Sequence, residues 1–102
     1  MLAGGHSQPS KEISPRIQKI ADDVKPQLEE KLGRPSFPEY QLLEFRQQVV
    51  AGMIFHFKIQ ISSSECVHCK VFQSLPHEKR DPEVQAAVLK TLEDPLETLV
   101  SD

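Results

Sequence analysis

Strict alternation of apolar and polar residues near the middle of the chain is the feature that most constrains its fold. From Met53 to Ile61 every second residue is apolar, which is typical of a strand with one buried face. The residues from Leu43 to Arg46 alternate in the same way and predict the end of an earlier strand. The stretch between them, Val49-Val50-Ala51-Gly52, should therefore be a turn, although turns are normally built from Asn, Asp, Gly and Pro. The sequence predicts a hairpin whose tip is apolar and uncharged.

A single long buried strand from Leu43 to Phe57 is the alternative interpretation of this stretch. Two features argue against it. Gly52 interrupts the strand propensity, and the apolar runs on either side need a chain reversal to share one core. Exposed valines at a hairpin tip would form a rim suited to filling a cleft in another protein.

An amphipathic helix precedes the strands. Ser14-Pro15 is a helix-start signal, with Ser14 as N-cap, and apolar residues then recur at spacings of three and four as far as Leu28. Pro26 lies inside this pattern and should kink the helix or end it early, and Gly33 should stop it. Strands are predicted over residues 40–48, 53–62 and 66–74, with a polar turn from Ser62 to Glu65. This order predicts an α+β fold, in which one long N-terminal helix packs on an antiparallel β-sheet.

The last quarter of the chain has a different pattern. Asp81-Pro82-Glu83 is a helix-start signal, and apolar residues follow at helical spacing as far as Leu92. Taken locally, residues 82–93 are predicted to be a helix that Pro95 ends.

Composition excludes several classes of protein. The 102 residues suffice for one domain, and the net charge of −3 shows no basic footprint for nucleic acid. No apolar run approaches the length of a membrane span, and the first residues lack the pattern of a secretory signal. Two cysteines do not make a disulfide scaffold, so a cytoplasmic location is expected.

The cysteines of the segment Cys66-Val67-His68-Cys69 raise the question of a metal or redox site. Residues three apart on a strand point to opposite faces and lie about 10 Å apart, whereas a disulfide needs Cα atoms within about 7 Å. A zinc site needs about four ligands, and the chain has no second cysteine pair. We therefore expect Cys69 in the core, and Cys66 and His68 on the other face, where His68 and His56 could be cross-strand neighbours. With no recognisable nucleophile and base, the chain is predicted to be a binding module without a cofactor, not an enzyme.

Several segments together resemble the cystatins. Gln48-Val49-Val50-Ala51-Gly52 matches the QVVAG loop of that family, Leu75-Pro76 resembles its second hairpin loop, and Gly4-Gly5 resembles its N-terminal glycine pair. The segments IADDVKPQLEEKLG and VFQSLPHE are similar to the helix and second loop of the stefins, the intracellular type 1 cystatins. The resemblance covers about residues 1–78. Four features in register identify it: the glycine pair, the helix, the QVVAG loop and the Leu-Pro turn.

The resemblance implies a fold and an activity. Stefins have one helix wrapped by a five-stranded antiparallel sheet, and they reversibly and tightly inhibit papain-like cysteine proteases such as the lysosomal cathepsins. By resemblance, Gly4 and Gly5 let the N-terminal segment run along the non-primed side of the protease cleft. Val49, Val50, Ala51 and Gly52, together with Leu75 and Pro76, would fill the primed side, and Gln48 and His77 would also be protease-binding residues. The chain is then expected to act mainly as a monomer that binds proteases and neither nucleic acid nor membrane.

The C-terminal segment departs from the family pattern. Stefins continue after the second loop into a final strand, whereas residues 80–102 look helical here. We therefore expect one domain, 1–102, with a flexible N-terminal segment (1–12) and a divergent tail (80–102). If the last strand were missing, the second loop would lose an anchor and the third strand would become an exposed edge open to self-association. A stefin-like protein without inhibition, acting as a structural or interaction partner, is the alternative function, and a thiol or metal protein using Cys66 and Cys69 is a third.

Overall fold

The structure, a computed structural model, describes residues 10–34, 36–75 and 80–96. Two helical segments are followed by four strands, which confirms the predicted α+β class. In chain order these elements are α1 (Pro15–Asp23), α2 (Lys25–Leu32), β1 (Gln41–Val50), β2 (Gly52–Gln60), β3 (Glu65–Gln73) and β4 (Glu83–Thr91).

Consecutive antiparallel hairpins build one sheet in the order β1-β2-β3-β4. The predicted reversal between the first two strands is confirmed, but the turn is shorter than expected, because Val50 lies opposite Gly52 and only Ala51 lies outside the strands. The family resemblance implied five strands. Among the described residues the place of a fifth is taken by an isolated bridge, in which Ser10 pairs with Phe45 of β1.

The two helical segments form one bent helix. Ser14 is the N-cap and its Oγ accepts from the Ile17 N–H at 3.3 Å. The break falls at Val24, two residues before Pro26, which has no N–H to continue the ladder, so the predicted kink is confirmed. Gly33 ends α2 with a left-handed φ of 68°. Neither helix of the described segments has the length and apolarity needed to cross a membrane.

The core lies between the bent helix and the inner face of the sheet. Alternate residues of each strand point to this face, so the helix buries one stripe against them. The buried members of this cluster are Ile20, Ala21, Val24, Leu28, Phe37, Leu42, Phe45, Phe55, Phe57, Ile59, Ile61, Val67, Cys69 and Val71.

The helix predicted over residues 82–93 is wrong, because Glu83–Thr91 is the strand β4, paired with β3 along its length. A bulge explains the error. Lys70 pairs with Ala86 and Val71 with Val84, so Gln85 is an extra residue in β4. The bulge places Val84 and Ala87, three residues apart, against the same core, which imitates the spacing of a helix. Pairing with β3 decides the outcome over the local pattern.

The outer face of the sheet is covered by the segment that follows β4. Lys58 Nζ donates to the carbonyl oxygens of Leu92 at 2.7 Å and Asp94 at 2.8 Å, and an Arg46 Nη donates to that of Leu96 at 3.1 Å. Leu96 is buried there, outside the core cluster. The outer face is therefore a second buried layer, which the strand alternation did not predict.

The two histidines predicted to face outward lie in this second layer. His56 and His68 are both buried, and they are not directly opposite, since His56 pairs with Lys70 and His68 with Lys58. The predicted separation of the cysteines is confirmed. Cys69 belongs to the core cluster, while Cys66 is buried on the outer face, and both thiols are free.

Candidate functional site

The most exposed large apolar side chains of the described residues fall into two groups. Val49, Val50 and Leu75 form the first group, at the β1–β2 tip and just beyond β3, with exposed fractions of 63%, 37% and 37%. Val88 and Leu89, on the edge strand β4, form the second. The first group lies at the ends of two hairpins that share one end of the sheet, which is the arrangement that the sequence predicted.

Gly52 brings the hairpin tip against the end of β3. Its φ is +123°, a conformation that side chains rarely adopt. A Cβ on Gly52 would lie 2.5 Å from the carbonyl oxygen of Gln73 and 3.1 Å from the ring of Phe72. Only glycine fits this close approach, which keeps the tip in contact with Gln73, two positions before Leu75.

The second loop, defined here as residues 74–82, is held at both of its ends. Gln73 Nε2 donates to the Arg80 carbonyl at 3.2 Å, which ties the end of β3 to the start of the return segment. Ser74 is buried, and Leu75 is exposed. Pro76 and His77, two of the predicted site residues, lie outside the described residues.

The N-terminal segment meets the sheet at Ser10. Its N–H donates to the Phe45 carbonyl at 2.8 Å, and the Phe45 N–H donates back at 2.9 Å. The pairing is antiparallel, and β1 runs toward the tip at Val50. At Ser10, therefore, the backbone followed toward its N-terminus points the same way as β1, toward the hairpin tip. The predicted site residues Gly4 and Gly5 lie outside the described residues.

In its described part, the site offers shape and apolar surface in place of reactive groups. Residues 47–55 carry no ionisable side chain. The two thiols lie inside the fold: burial raises the pKa of Cys69 to about 12, and burial also raises the pKa of Cys66. In the described segments, His, Cys, Asp and Glu nowhere gather in a group of three that could hold a metal ion. The arrangement is suited to docking.

The structure brings together Val49, Val50, Ala51, Gly52 and Leu75, with Gln48 half-buried beside them in β1. Sequence reasoning missed the residues behind them, Phe72 and Gln73, against which the hairpin tip rests. A glycine in a strand can mark a close backbone approach, so Gly52 was a signal that some contact existed. Nothing local to the sequence named the contact, because it joins residues about twenty positions apart.

Known proteins resemble the chain over most of its length. A model of the cystatin domain matches residues 4–93. Leukocyte cysteine proteinase inhibitor 1 of Sus scrofa is 45% identical over 82 residues, which is 80% of this chain and 77% of that protein. Stefin-C of Bos taurus is 47% identical over 77 residues, or 76% of this chain and 74% of its own. Cystatin-A1 of Sus scrofa is 37% identical over 97 residues and spans 94% of this chain and 92% of its own. The chain therefore belongs to the cystatin family, and within it to the stefins.

Proposed function

We propose that the protein is a reversible, tight-binding inhibitor of papain-like cysteine proteases, acting in the cytosol. It is not an enzyme, in keeping with a family whose members carry names such as cysteine proteinase inhibitor. In this proposal the N-terminal segment with Gly4 and Gly5, the tip from Gln48 to Gly52, and the loop residues Leu75, Pro76 and His77 together fill the active-site cleft. The observation that carries the proposal is the exposed apolar rim of Val49, Val50 and Leu75 at one end of the sheet.

The physical basis is burial of apolar surface by a preformed wedge. Fully burying an exposed valine or leucine side chain is worth about 1.5–3 kcal/mol. With exposed fractions of 63%, 37% and 37%, the three anchors together can contribute about 2–4 kcal/mol to a complex. Gly52 rests on the end of β3, so the tip is already placed before binding and loses little entropy. The tip carries no charge, so the inhibition constant should change little with added salt.

The test is a titration of papain with the purified protein, with trypsin as the control protease. Stoichiometric loss of papain activity, with trypsin unaffected, is the expected result. Val50→Asp should weaken the inhibition by about a hundredfold or more, since it removes an apolar anchor and forces a carboxylate into the cleft, at a cost of ~3 kcal/mol.

Val88→Asp is the matched control. Val88 is 39% exposed and Val50 37%, so the two substitutions place the same charge on similarly exposed strand residues. Val88 lies in β4 opposite His68, five positions from the tip end of β3, so its substitution should leave papain inhibition unchanged. Equal weakening by the two substitutions, or a folded protein that leaves papain active at micromolar concentration, would overturn the proposed function.

A stefin-like scaffold without inhibition was the alternative. This alternative was motivated by the expectation that the final strand would be missing, which would leave β3 as an exposed edge. Since β4 pairs with β3 from Phe72–Glu83 to Glu65–Thr91, that motivation is gone. A size-exclusion profile dominated by a single monomeric species would support an inhibitor that acts as a monomer.

A further inference from the structure

The outer edge of β4 carries backbone groups that point away from the sheet. Each residue of an antiparallel strand turns its N–H and C=O to the same side, and the side alternates along the strand. Phe45 exchanges both of its backbone hydrogen bonds with Ser10, so it turns away from Phe57, its partner in β2. Phe57 therefore bonds to Cys69 of β3, which leaves Cys69 turned away from β4. Ala87 lies opposite Cys69, so its N–H and C=O point out of the sheet.

Hydrogen bonds near the two ends of β4 agree with this direction. The Val84 N–H donates to Gln27 Oε1 of α2 at 2.9 Å, not to β3. The Thr91 N–H donates at 2.8 Å to a carboxylate in the segment that follows the strand. Between these two ends Leu89 lies two residues after Ala87 and turns the same way. Among the described residues, neither a side chain nor a loop binds the outward groups of Ala87 and Leu89, which we call the open window.

The open window fits a second copy of itself in one register. When two β4 strands pair antiparallel with Ala87 of each opposite Leu89 of the other, every N–H and C=O of both windows finds a partner. A register centred on Ala87 would instead bring Leu89 opposite the bulged residue Gln85. A register centred on Leu89 would need Thr91, whose N–H is already bound. In the favoured register a two-fold axis passes between the two copies of Val88.

The side chains of β4 are matched in the same register. Val88, 39% exposed, meets the Val88 of the second copy on the outer face, and Leu89, 41% exposed, meets Ala87 on the inner face. Glu83 and Lys90 are the only ionisable residues of the strand and lie at its opposite ends. Antiparallel pairing sets the acidic end of each copy diagonally across from the basic end of the other, within reach of a long side chain. The strand is therefore complementary to itself in charge as well as in apolar surface.

We propose that β4 is a self-association surface, through which two copies of this chain join their four-stranded sheets edge to edge. The contact supplies one strand from each copy and about four hydrogen bonds, whereas a typical protein interface has about ten. The dimer should therefore be weak and populated only at high protein concentration. The proposal does not depend on protease inhibition.

Sedimentation equilibrium of the full chain tests the surface. The expected result is a monomer at about 10 µM and a rising share of dimer toward about 1 mM. Leu89→Lys removes an apolar contact from both halves of the interface and should raise the dissociation constant at least about tenfold. Val49→Lys is the matched control, because it places the same charge on an exposed apolar residue of the hairpin tip, and it should leave the dissociation constant unchanged.

Two outcomes of this experiment would overturn the proposal. A protein that stays monomeric at about 1 mM has no such surface, and its β4 edge is then left to an extended segment of another protein or to water. Association that Val49→Lys weakens as much as Leu89→Lys does would place the contact at the apolar tip instead of at β4.

Cysteine crosslinking tests the register. Val88→Cys places two thiols at directly opposite, non-bonded positions, where Cα atoms lie about 4.5 Å apart, so oxidised glutathione should convert the variant into a disulfide-linked dimer. Leu89→Cys is the matched control, since Leu89 is similarly exposed but its two copies would lie about 8–9 Å apart, beyond the ~7 Å limit of a disulfide. The buried Cys66 and Cys69 are common to both variants. Equal or faster linking of Leu89→Cys would refute the register and with it the proposal.

Discussion

Replacing Gly52 by alanine tests the geometry of the wedge most directly. The new Cβ meets two costs. A left-handed backbone costs a side-chain-bearing residue about 1–2 kcal/mol, and the φ of +123° lies beyond the region that alanine tolerates best. The Cβ would also lie 2.5 Å from the Gln73 carbonyl oxygen, which is part of the β3 backbone and cannot rotate away. Together these predict a loss of about 3 kcal/mol in the free energy of unfolding, unless the tip moves away from β3.

Urea unfolding and papain inhibition, measured on the same variant, separate the two ways of relieving the clash. With a slope of about 1–3 kcal/mol per molar urea, a loss of ~3 kcal/mol lowers the midpoint by about 1–3 M. If the tip moves instead, the midpoint falls less but papain inhibition weakens by at least about tenfold, because Val49 and Val50 leave the common rim. Either result supports the close approach of the two hairpins.

Gly33→Ala is the matched control. Gly33 also has a positive φ, of +68°, but a Cβ on this residue would have no atom within 4 Å. The neighbouring Arg34 binds Glu65 at the start of β3, so this glycine lies at the end of the sheet opposite the tip. The variant should lose only about 1 kcal/mol and inhibit papain as the unmodified protein does. If Gly52→Ala matched Gly33→Ala in both assays, the reasoning about the tip would be refuted.

Three further predictions concern the buried layers. Burial, and then the charge of Lys58, lower the pKa of His68 below 6.5, so its contribution to stability is complete above pH 6.5 and is lost as the pH falls. His68→Gln should therefore reduce the change in urea midpoint between pH 7.5 and pH 5, and an unaltered pH dependence of the midpoint would contradict this. Lys58→Met leaves two carbonyl groups without their donor and should lower the free energy of unfolding in urea by about 1–3 kcal/mol, with papain inhibition intact. An unchanged urea midpoint would show that the segment after β4 adds no stability. Because burial raises the pKa of Cys69 to about 12, this thiol should resist a disulfide reagent at pH 8 until urea is added, and rapid native labelling in a Cys66→Ser background would refute its placement in the core.

Local physics accounts for the parts of the fold that the sequence predicted well. The N-cap at Ser14, the interruption near Pro26 and the alternation from Met53 to Ile61 each act over a few residues, and each appears in the structure. The apolar tip could be predicted for the same reason, since Val49 and Val50 break a local rule of turn composition.

Contacts distant in sequence account for what was missed. The β4 strand depends on a bulge at Gln85 and on pairing with β3, neither of which has a local signature. The burial of His68 depends on a segment more than twenty residues later in the chain. The alternation in β3 could therefore predict which face of the sheet His68 occupies, but not whether that face is exposed. The rest of the candidate site, Phe72 and Gln73 behind Gly52, is likewise a product of register between hairpins.

The cover on the outer face has a consequence for how the protein is made. Lys58 and Arg46 find their acceptors 34, 36 and 50 residues further along the chain, in the last described segment. During synthesis the helix and the first three strands emerge well before that segment, so a nascent chain can assemble its inner core while the outer layer is still open to water. Completion waits until residue 96 has left the ribosome. A ribosome stalled with the chain outside its exit tunnel only as far as Thr91 should hold an intermediate with a native-like core whose outer-face thiol, Cys66, is still open to labelling.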